Sequence, residues 1–525
     1  VRADAPAVEV PEPAPPPAPL TLELALPPAA LPALLKGAAL AALRAGPARG
    51  AAFAVTWFDT PDGQLAARGQ ALEITPARRG ARATFRQALR QAMPPADAAW
   101  IVGTPGAVLA EAVLAPAALP AVPDPAAVGL PTAPLVALAA AEGSRRTLPL
   151  RAEDAAVALA VLEGKLRTVA AEQPFARLVL TGPPAAVFAA AQALAAAHEL
   201  LPAWPLAETA RALALGQPAR PPRRGAPALA EGLSVADGLA HAMLHLAAVL
   251  LWLLPALRQK GAVEPVHQAR VALRRLRSAL SVWRGAIDGD ALRGLDAGLR
   301  DLARLLGPVR DRDVFLGGTL ADLAQALAGH EPDRPGALDA LGAAIAAERD
   351  RAHAALLAEL DGPRFRALAL ALLQTFATRP WAESEATAAP LARFAAGVLA
   401  RRHRRLLKDA DSLDGVPVAV LHGLRLKAKR LRYAAEFFAP LFPPKRTRRF
   451  LRRLAALQET LGIVNDGAVA GGLVRALPPA GGRAAAARAW AEGAVDGFAA
   501  ARAAAARAEA GRAWARLREA APFWD

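Results

Sequence analysis

The stretch His267-Gln-Ala-Arg270-Val-Ala-Leu-Arg274-Arg275-Leu-Arg277 returns about 155 residues later as His422-Gly-Leu-Arg425-Leu-Lys427-Ala-Lys429-Arg430-Leu-Arg432. At 100° per residue, the first, fourth, eighth and eleventh positions of each copy fall within roughly an 80° arc of a helix. Ala269, Leu273, Leu276 and Leu280 form an adjoining apolar stripe. Each copy therefore reads as a helix with a cationic ridge beside a buried seam. A second pair of segments follows at matching distance, Leu305-Leu306-Gly307-Pro308-Val309-Arg310-Asp311 and Thr460-Leu461-Gly462-Ile463-Val464-Asn465-Asp466. Because the parts recur in the same order, the C-terminal region reads as an internal duplication.

One basic amphipathic helix is usually just a solvated face. Its repetition favours a binding surface. Arginines dominate the first copy, and a guanidinium can engage two phosphate oxygens at once, whereas the lysines mixed into the second act as point charges. That mixture suits a flexible polymer of repeated phosphates. His267 and His422 open the two ridges and can donate to a phosphate, neutral or charged, or be satisfied by backbone at a helix start. Asp311 and Asp466 follow matching Leu-Gly turns, where each can cap the next helix or hold a ridge arginine in place.

These paired motifs resemble the CHAD family, whose two halves carry H-x-x-R-x-x-x-[RK]-R-x-R helices and L-G-x-x-x-D turns. The resemblance implies an all-α, internally duplicated helical bundle that binds inorganic polyphosphate on a basic surface without catalysis. On this chain it assigns phosphate contacts to His267, Arg270, Arg274, Arg275, Arg277, Arg310, His422, Arg425, Lys427, Lys429, Arg430 and Arg432, with Asp311 and Asp466 orienting them.

Composition says less, and charge leaves polyphosphate, nucleic acid and anionic lipid all open as partners. A chain of 525 residues with 54% hydrophobic side chains can bury more than one core. Its Ala, Arg and Pro bias is that of a GC-rich bacterial gene. Of the net charge of +16, residues 231–525 carry +13, from 43 Lys/Arg against 30 Asp/Glu. Such a field concentrates polyanions. Cysteine is absent, which removes disulfides, thiolate metal sites and thiol nucleophiles. The longest strongly apolar run, Leu246 to Leu257 with Pro255 inside it, falls short of the roughly 20 residues of a membrane helix. The start of the chain lacks a basic segment followed by an apolar core. The expected location is the cytoplasm, with association to polyphosphate granules.

Residues 1–19, Pro/Ala-rich, read as a disordered tail, and the Pro/Arg run Gln217-Pro-Ala-Arg-Pro-Pro-Arg-Arg-Gly225 as part of a linker over 216–229. Residues 230–525 follow as the helical domain. Between tail and linker, alternating runs at Leu20–Leu26, Ala52–Trp57 and Arg177–Leu180 predict an α+β module over 20–215. Its Trp57-Phe58-Asp59-Thr60-Pro61-Asp62-Gly63 segment, after Leu20-Thr-Leu-Glu-Leu-Ala-Leu, resembles the CYTH, or triphosphate tunnel, family. The family's E-x-E-x-K strand would hold a divalent cation and phosphate, but here those places are Thr21, Glu23 and Ala25. Its E-L-E-L strand is Arg177-Leu178-Val179-Leu180, and its final Lys falls at Glu208, leaving Glu23 and Arg211 as remnants. One carboxylate cannot build a Mg²⁺ or Mn²⁺ cage. The module is thus expected to be a catalytically silent, degenerate CYTH relative.

No nucleophile-base-oxyanion set accompanies the motifs, so neither catalysis, cofactor nor metal is expected. His241 and His245, one turn apart on an apolar helix, read as structural. A CYTH-type triphosphatase or cyclase is one alternative, contradicted by the missing tunnel residues. A nucleic-acid binder is the other, disfavoured because aromatics are 5% of the chain and do not interleave with the basic ridges.

Overall fold

The first alternating run sets the register of the N-terminal part. In strand β1 (Leu20–Leu26), Leu22 and Leu24 are fully buried, as a two-residue side-chain period requires when one face meets a core. The computed structural model describes residues 18–79, 82–93, 99–114, 134–216, 225–328, 336–408, 410–413 and 415–525. Most of the anticipated tail and linker, residues 1–17 and 217–224, lie outside these.

Strands β1, β2 (Arg49–Asp59), β3 (Ala71–Arg79), β4 (Arg82–Arg90), β5 (Val108–Leu114), β6 (Val136–Ala152), β7 (Ala155–Arg167), β8 (Glu172–Gly182) and β9 (Leu201–Pro202) form one antiparallel sheet of nine. Their order is β5-β4-β3-β2-β6-β7-β8-β1-β9. All three alternating runs of the sequence are strands. Helix α1 (Pro184–Ala197) covers one face and α2 (Leu206–Leu215) packs on β6. The Trp57–Gly63 segment is a stapled turn: the buried Asp59 carboxylate accepts from the backbone N–H groups of Thr60, Leu65 and Ala66 at 2.7, 2.9 and 3.0 Å. Gly63 turns the chain at φ 73°, a conformation costly for other residues.

The long helices that follow are α3 (Val235–Trp252), α4 (Val263–Trp283), α5 (Asp290–Val314), α6 (Ala337–Leu360), α7 (Pro363–Thr378), α8 (Leu391–Leu407), α9 (Val418–Phe438), α10 (Pro444–Arg475) and α11 (Gly482–Arg518). Ser234 caps α3 by accepting from the Asp237 N–H at 3.1 Å, a satisfied N-terminus of the usual kind. Helix α3 is long and apolar enough to cross a membrane by length and composition, but 83% of it is buried in the fold. Its apolar length exceeds what Leu246–Leu257 alone indicated, because Ala and Met residues extend the stripe backward through His241 and His245, both buried.

Helix α4 buries Ala269, Leu273, Leu276 and Leu280, as its pattern requires. It ends on Trp283, whose indole donates to the Val235 carbonyl at 2.9 Å and whose ring meets Phe394, Phe437 and Phe438. Helices α3, α4, α8 and α9 are thereby locked at one hub. A separate, smaller core joins Phe315, Leu341 and Ile345 to Ala470, Val474 and Val495.

The two parts of the chain also pack together. One continuous apolar core includes residues from Leu22 of the sheet to Trp524 of the bundle. At the junction α1 lies on α7, Gln192 donates to Gln374 at 2.7 Å, and buried Arg366 donates to the Ala195 carbonyl at 2.8 Å.

One expectation fails here. The Leu-Gly segments are not turns: α5 runs unbroken through Leu306-Gly307-Pro308 to Val314, and α10 runs through Leu461-Gly462 to Arg475. An interior proline costs about 3 kcal/mol, but Leu306 and Val309 on either side of Pro308 are buried, and that burial offsets it. Asp311 therefore sits within a helix and caps nothing.

Candidate functional site

Continuity of α5 carries Arg310 and Asp311 alongside α4. With α9 and α10 opposite, the four helices enclose an open cavity of about 420 Å³. Its cations are Arg270 and Arg274 from α4, Arg310 from α5, and Arg425 and Lys429 from α9, with His267 at the edge. Asp311 is the one carboxylate in this lining among the described residues. The far wall is apolar, formed by Phe315, Val469, Ala470 and Leu473, the top of the smaller core. Helix α5 continues there into a π-helical turn over Phe315–Leu320, a distortion common at functional sites; it leaves Thr319 in the lining.

Asp311 stands 3.5 Å from the Arg270 guanidinium, both about 40% exposed (40% and 37%). A Cβ on Gly307 would lie 3.1 Å from Arg270 Nη1, so this guanidinium lies close against α5. The expected orienting role of Asp311 has a direct contact behind it. The Asp466 side chain lies outside the described residues.

Arg274 stacks on the ring of Tyr433, 4.6 Å from its centroid, so α4 and α9 are clasped across the site by a cation–π contact. Burial lowers the Arg274 pKa and pushes the Tyr433 hydroxyl up to about 12. The tyrosine is neutral, a flat polar-edged platform. It is the sole tyrosine of the chain and directly follows the second ridge motif, a signal the basic pattern overshadowed. Burial and then the charge of Arg310 hold the His267 imidazole below its ordinary pKa, so without a ligand it is neutral near pH 7.

The remaining ridge residues are placed elsewhere. Arg277 pairs with Asp296 at 3.2 Å. Arg275 and Arg432 converge on Glu436, at 3.6 and 2.7 Å, and Arg432 also donates to Gln458 at 3.0 Å. These three arginines cross-brace helices. His422 is exposed and outside the cavity lining. Lys427 and Arg430 lie on the opposite flank of α9 and line a different pocket: at 100° per residue they stand roughly 160° and 140° from Arg425. A third group went unnoticed in the sequence, the buried pair Asp313–Arg349 at 3.0 Å, which ties the end of α5 to α6 beneath the cavity.

In the N-terminal part, the charged residues Glu23, Arg177, Glu208 and Arg211 pair with one another. Glu23 lies 3.6 Å from Arg177, Arg211 lies 3.1 Å from Glu208, and Arg177 donates to Thr209 at 3.3 Å. Burial raises the Glu23 pKa against the attraction of Arg177.

Residues 240–475 match the family model of the CHAD domain. The similar solved structures include two of named proteins. The crystal structure of the CHAD domain from the plant Ricinus communis is 28% identical, with a TM-score of 0.48 over 57% of this chain and 98% of that one. PptA from Streptomyces chartreusis is 22% identical, with a TM-score of 0.42 over 54% of this chain and 100% of that one. No curated protein matches the chain.

Proposed function

From the premise that residues 240–475 are a CHAD domain, we propose that the cavity between α4 and α9 binds inorganic polyphosphate and catalyses nothing. The observation that carries this reading is the convergence of five cations from three helices on a single open cavity, with Asp311 the one carboxylate among the described residues of its lining. Guanidinium forks on several helices hold an unbranched phosphate chain from more than one side, and the uncharged Tyr433 keeps Arg274 aimed. The contact set is narrower than the sequence motifs implied: His267, Arg270, Arg274, Arg310, Arg425 and Lys429, with Asp311 orienting Arg270. In this reading α4–α5 and α9–α10 descend from one duplicated unit, and the phosphate chain lies along the seam between them.

The N-terminal sheet is, in the same proposal, a degenerate CYTH relative spanning about residues 20–215 that has exchanged substrate clamps for internal ion pairs. Glu23, which would hold a cation in the family's pattern, is engaged with Arg177 instead. The module serves the helical domain as a packed support, and the protein acts in the cytoplasm, at polyphosphate granules.

The test is competition among long-chain polyphosphate, single-stranded DNA and RNA for the full chain at fixed salt. Polyphosphate should displace both nucleic acids at lower phosphate concentration, since among the described residues of the lining Phe315, on the apolar wall, is the one aromatic ring apart from the His267 imidazole, and Tyr433 is covered by Arg274. Equal or better competition by RNA would overturn the assignment.

A further inference from the structure

The strand order leaves β5 at the end of the sheet opposite β9, the strand that meets α7 of the bundle. On one side β5 pairs with β4, and among the described residues no strand pairs with its other side. Such an edge presents unpaired backbone N–H and C=O groups to any extended chain, and proteins commonly blunt it with lysine, proline or a bulge. Strand β5 contains no lysine and no proline. Its register with β4 shifts at Leu109, but Ala110 to Leu114 then run in unbroken register opposite Leu89 to Phe85.

The side chains leave the edge open as well. Val108, Leu109 and Val113 are 42%, 48% and 52% exposed, and Leu114 is exposed too. Clustered exposed apolar side chains mark an interaction surface. The single charge of the strand, Glu111, is held by the Arg86 guanidinium of β4, whose Nε and Nη2 donate to its carboxylate at 2.6 and 2.7 Å.

What decides the partner is symmetry in the sequence. Val-Leu-Ala-Glu-Ala-Val-Leu reads the same by residue class from either end, with Glu111 at its centre. Antiparallel pairing of two such strands about Glu111 sets Leu109 against Val113 of the second copy and Ala110 against Ala112, so each large apolar residue meets another. The two Glu111 carboxylates also meet, and like charges directly opposite are destabilising. Each, however, already carries its own two-pronged arginine, so the contact has no net charge. We infer that β5 is a self-association edge, at which two copies of this chain pair antiparallel and join their sheets into one. A seven-residue edge gives an interface at the small end of the specific range, below about 1,200 Å². The dimer is therefore concentration-dependent, with a dissociation constant on the order of 10 µM.

The experiment is sedimentation velocity of the full chain over concentrations about tenfold either side of that constant, without polyphosphate, so that the outcome is independent of the ligand assigned above. Wild type should pass from monomer to dimer. Leu109→Lys with Val113→Lys sets lysine against lysine twice, and Leu109→Glu with Val113→Glu does the same with glutamate, so each variant alone should dimerise about tenfold or more weakly. Mixed in equal amounts, the two variants place each lysine opposite a glutamate, and the heterodimer should regain that factor. Circular dichroism and the melting temperature should stay at wild-type values, because both substituted side chains are about half exposed. A wild type that remains monomeric throughout, as it would if a foreign chain were the occupant of this edge, overturns the inference. So does dimerisation that both variants leave unchanged, or a mixture no tighter than its components.

Discussion

Replacing Arg270 and Arg425 together with alanine tests whether α4 and α9 act on one ligand, because these residues reach the cavity from its two sides. A hydrogen bond to a charged group contributes about 1.5–3 kcal/mol, so each loss should weaken long-chain polyphosphate roughly 10- to 100-fold at low salt. Arg270→Ala also leaves Asp311, 3.5 Å away in the native site, facing the polyanion without its partner, which places that variant at the larger end. The sharper readout is salt. For a flexible single-stranded polyanion, each neutralised phosphate contributes about −0.7 to the slope of log K against log salt. Deleting two contacts should make that slope shallower by about 1.4, whatever other cations take part. Fluorescence anisotropy of end-labelled long-chain polyphosphate at four salt concentrations gives the slope, and circular dichroism should show unchanged helicity, since alanine suits helix interiors. Tripolyphosphate should lose less affinity than the long chain if one polymer spans both helices. A slope unchanged within 0.3, or equal small losses for short and long ligands, would refute a shared electrostatic site.

Proton linkage singles out His267. Its pKa is depressed in the free protein by burial and then Arg310, and a phosphate beside it raises the pKa of the bound state. The added affinity is complete below the free-state pKa and is lost as pH rises through the bound-state pKa, so binding should strengthen as pH falls through and below neutrality; in His267→Gln the residual pH dependence should be flatter, and an identical profile would remove this histidine from the site. Tyr433→Phe should bind normally, because the ring and not the hydroxyl supports Arg274, whereas Tyr433→Leu should lose about 0.5–2 kcal/mol of binding; equal effects of the two variants would rule out the stacking. In the sheet, Arg177→Met leaves the Glu23 carboxylate buried without its partner and should cost about 3–5 kcal/mol, with Glu23→Gln added to it restoring most of the melting temperature; no rescue by the double variant would show that the pair is not coupled.

How much was legible in the sequence follows the range of the interactions involved. Alternation located β1, β2 and β8, and the 3.6-residue period located the two ridge helices α4 and α9, because each pattern reports which face of one element meets a core. The same arithmetic put His267, Arg270 and Arg274 on one arc, and the structure keeps them together in one lining. Taken further, it would have separated Lys427 and Arg430 from Arg425, since positions two and five apart on a helix point away from each other. The Leu-Gly-Pro segment was misread because glycine and proline break isolated helices, whereas here the buried neighbours Leu306 and Val309 hold α5 straight. Nothing local distinguishes Arg277 and Arg432, consumed by Asp296 and Glu436, from Arg270 and Arg425, left facing the cavity. The sequence by itself determined β1, β2, β8, the two ridge helices and their cationic flanks, because those depend on neighbours within a turn or two. Which flanks face each other, which arginines are neutralised, and that the sheet and bundle share a core were decided by tertiary packing, because charges and apolar faces find partners by proximity in space, across separations such as the 182 residues between Gln192 and Gln374.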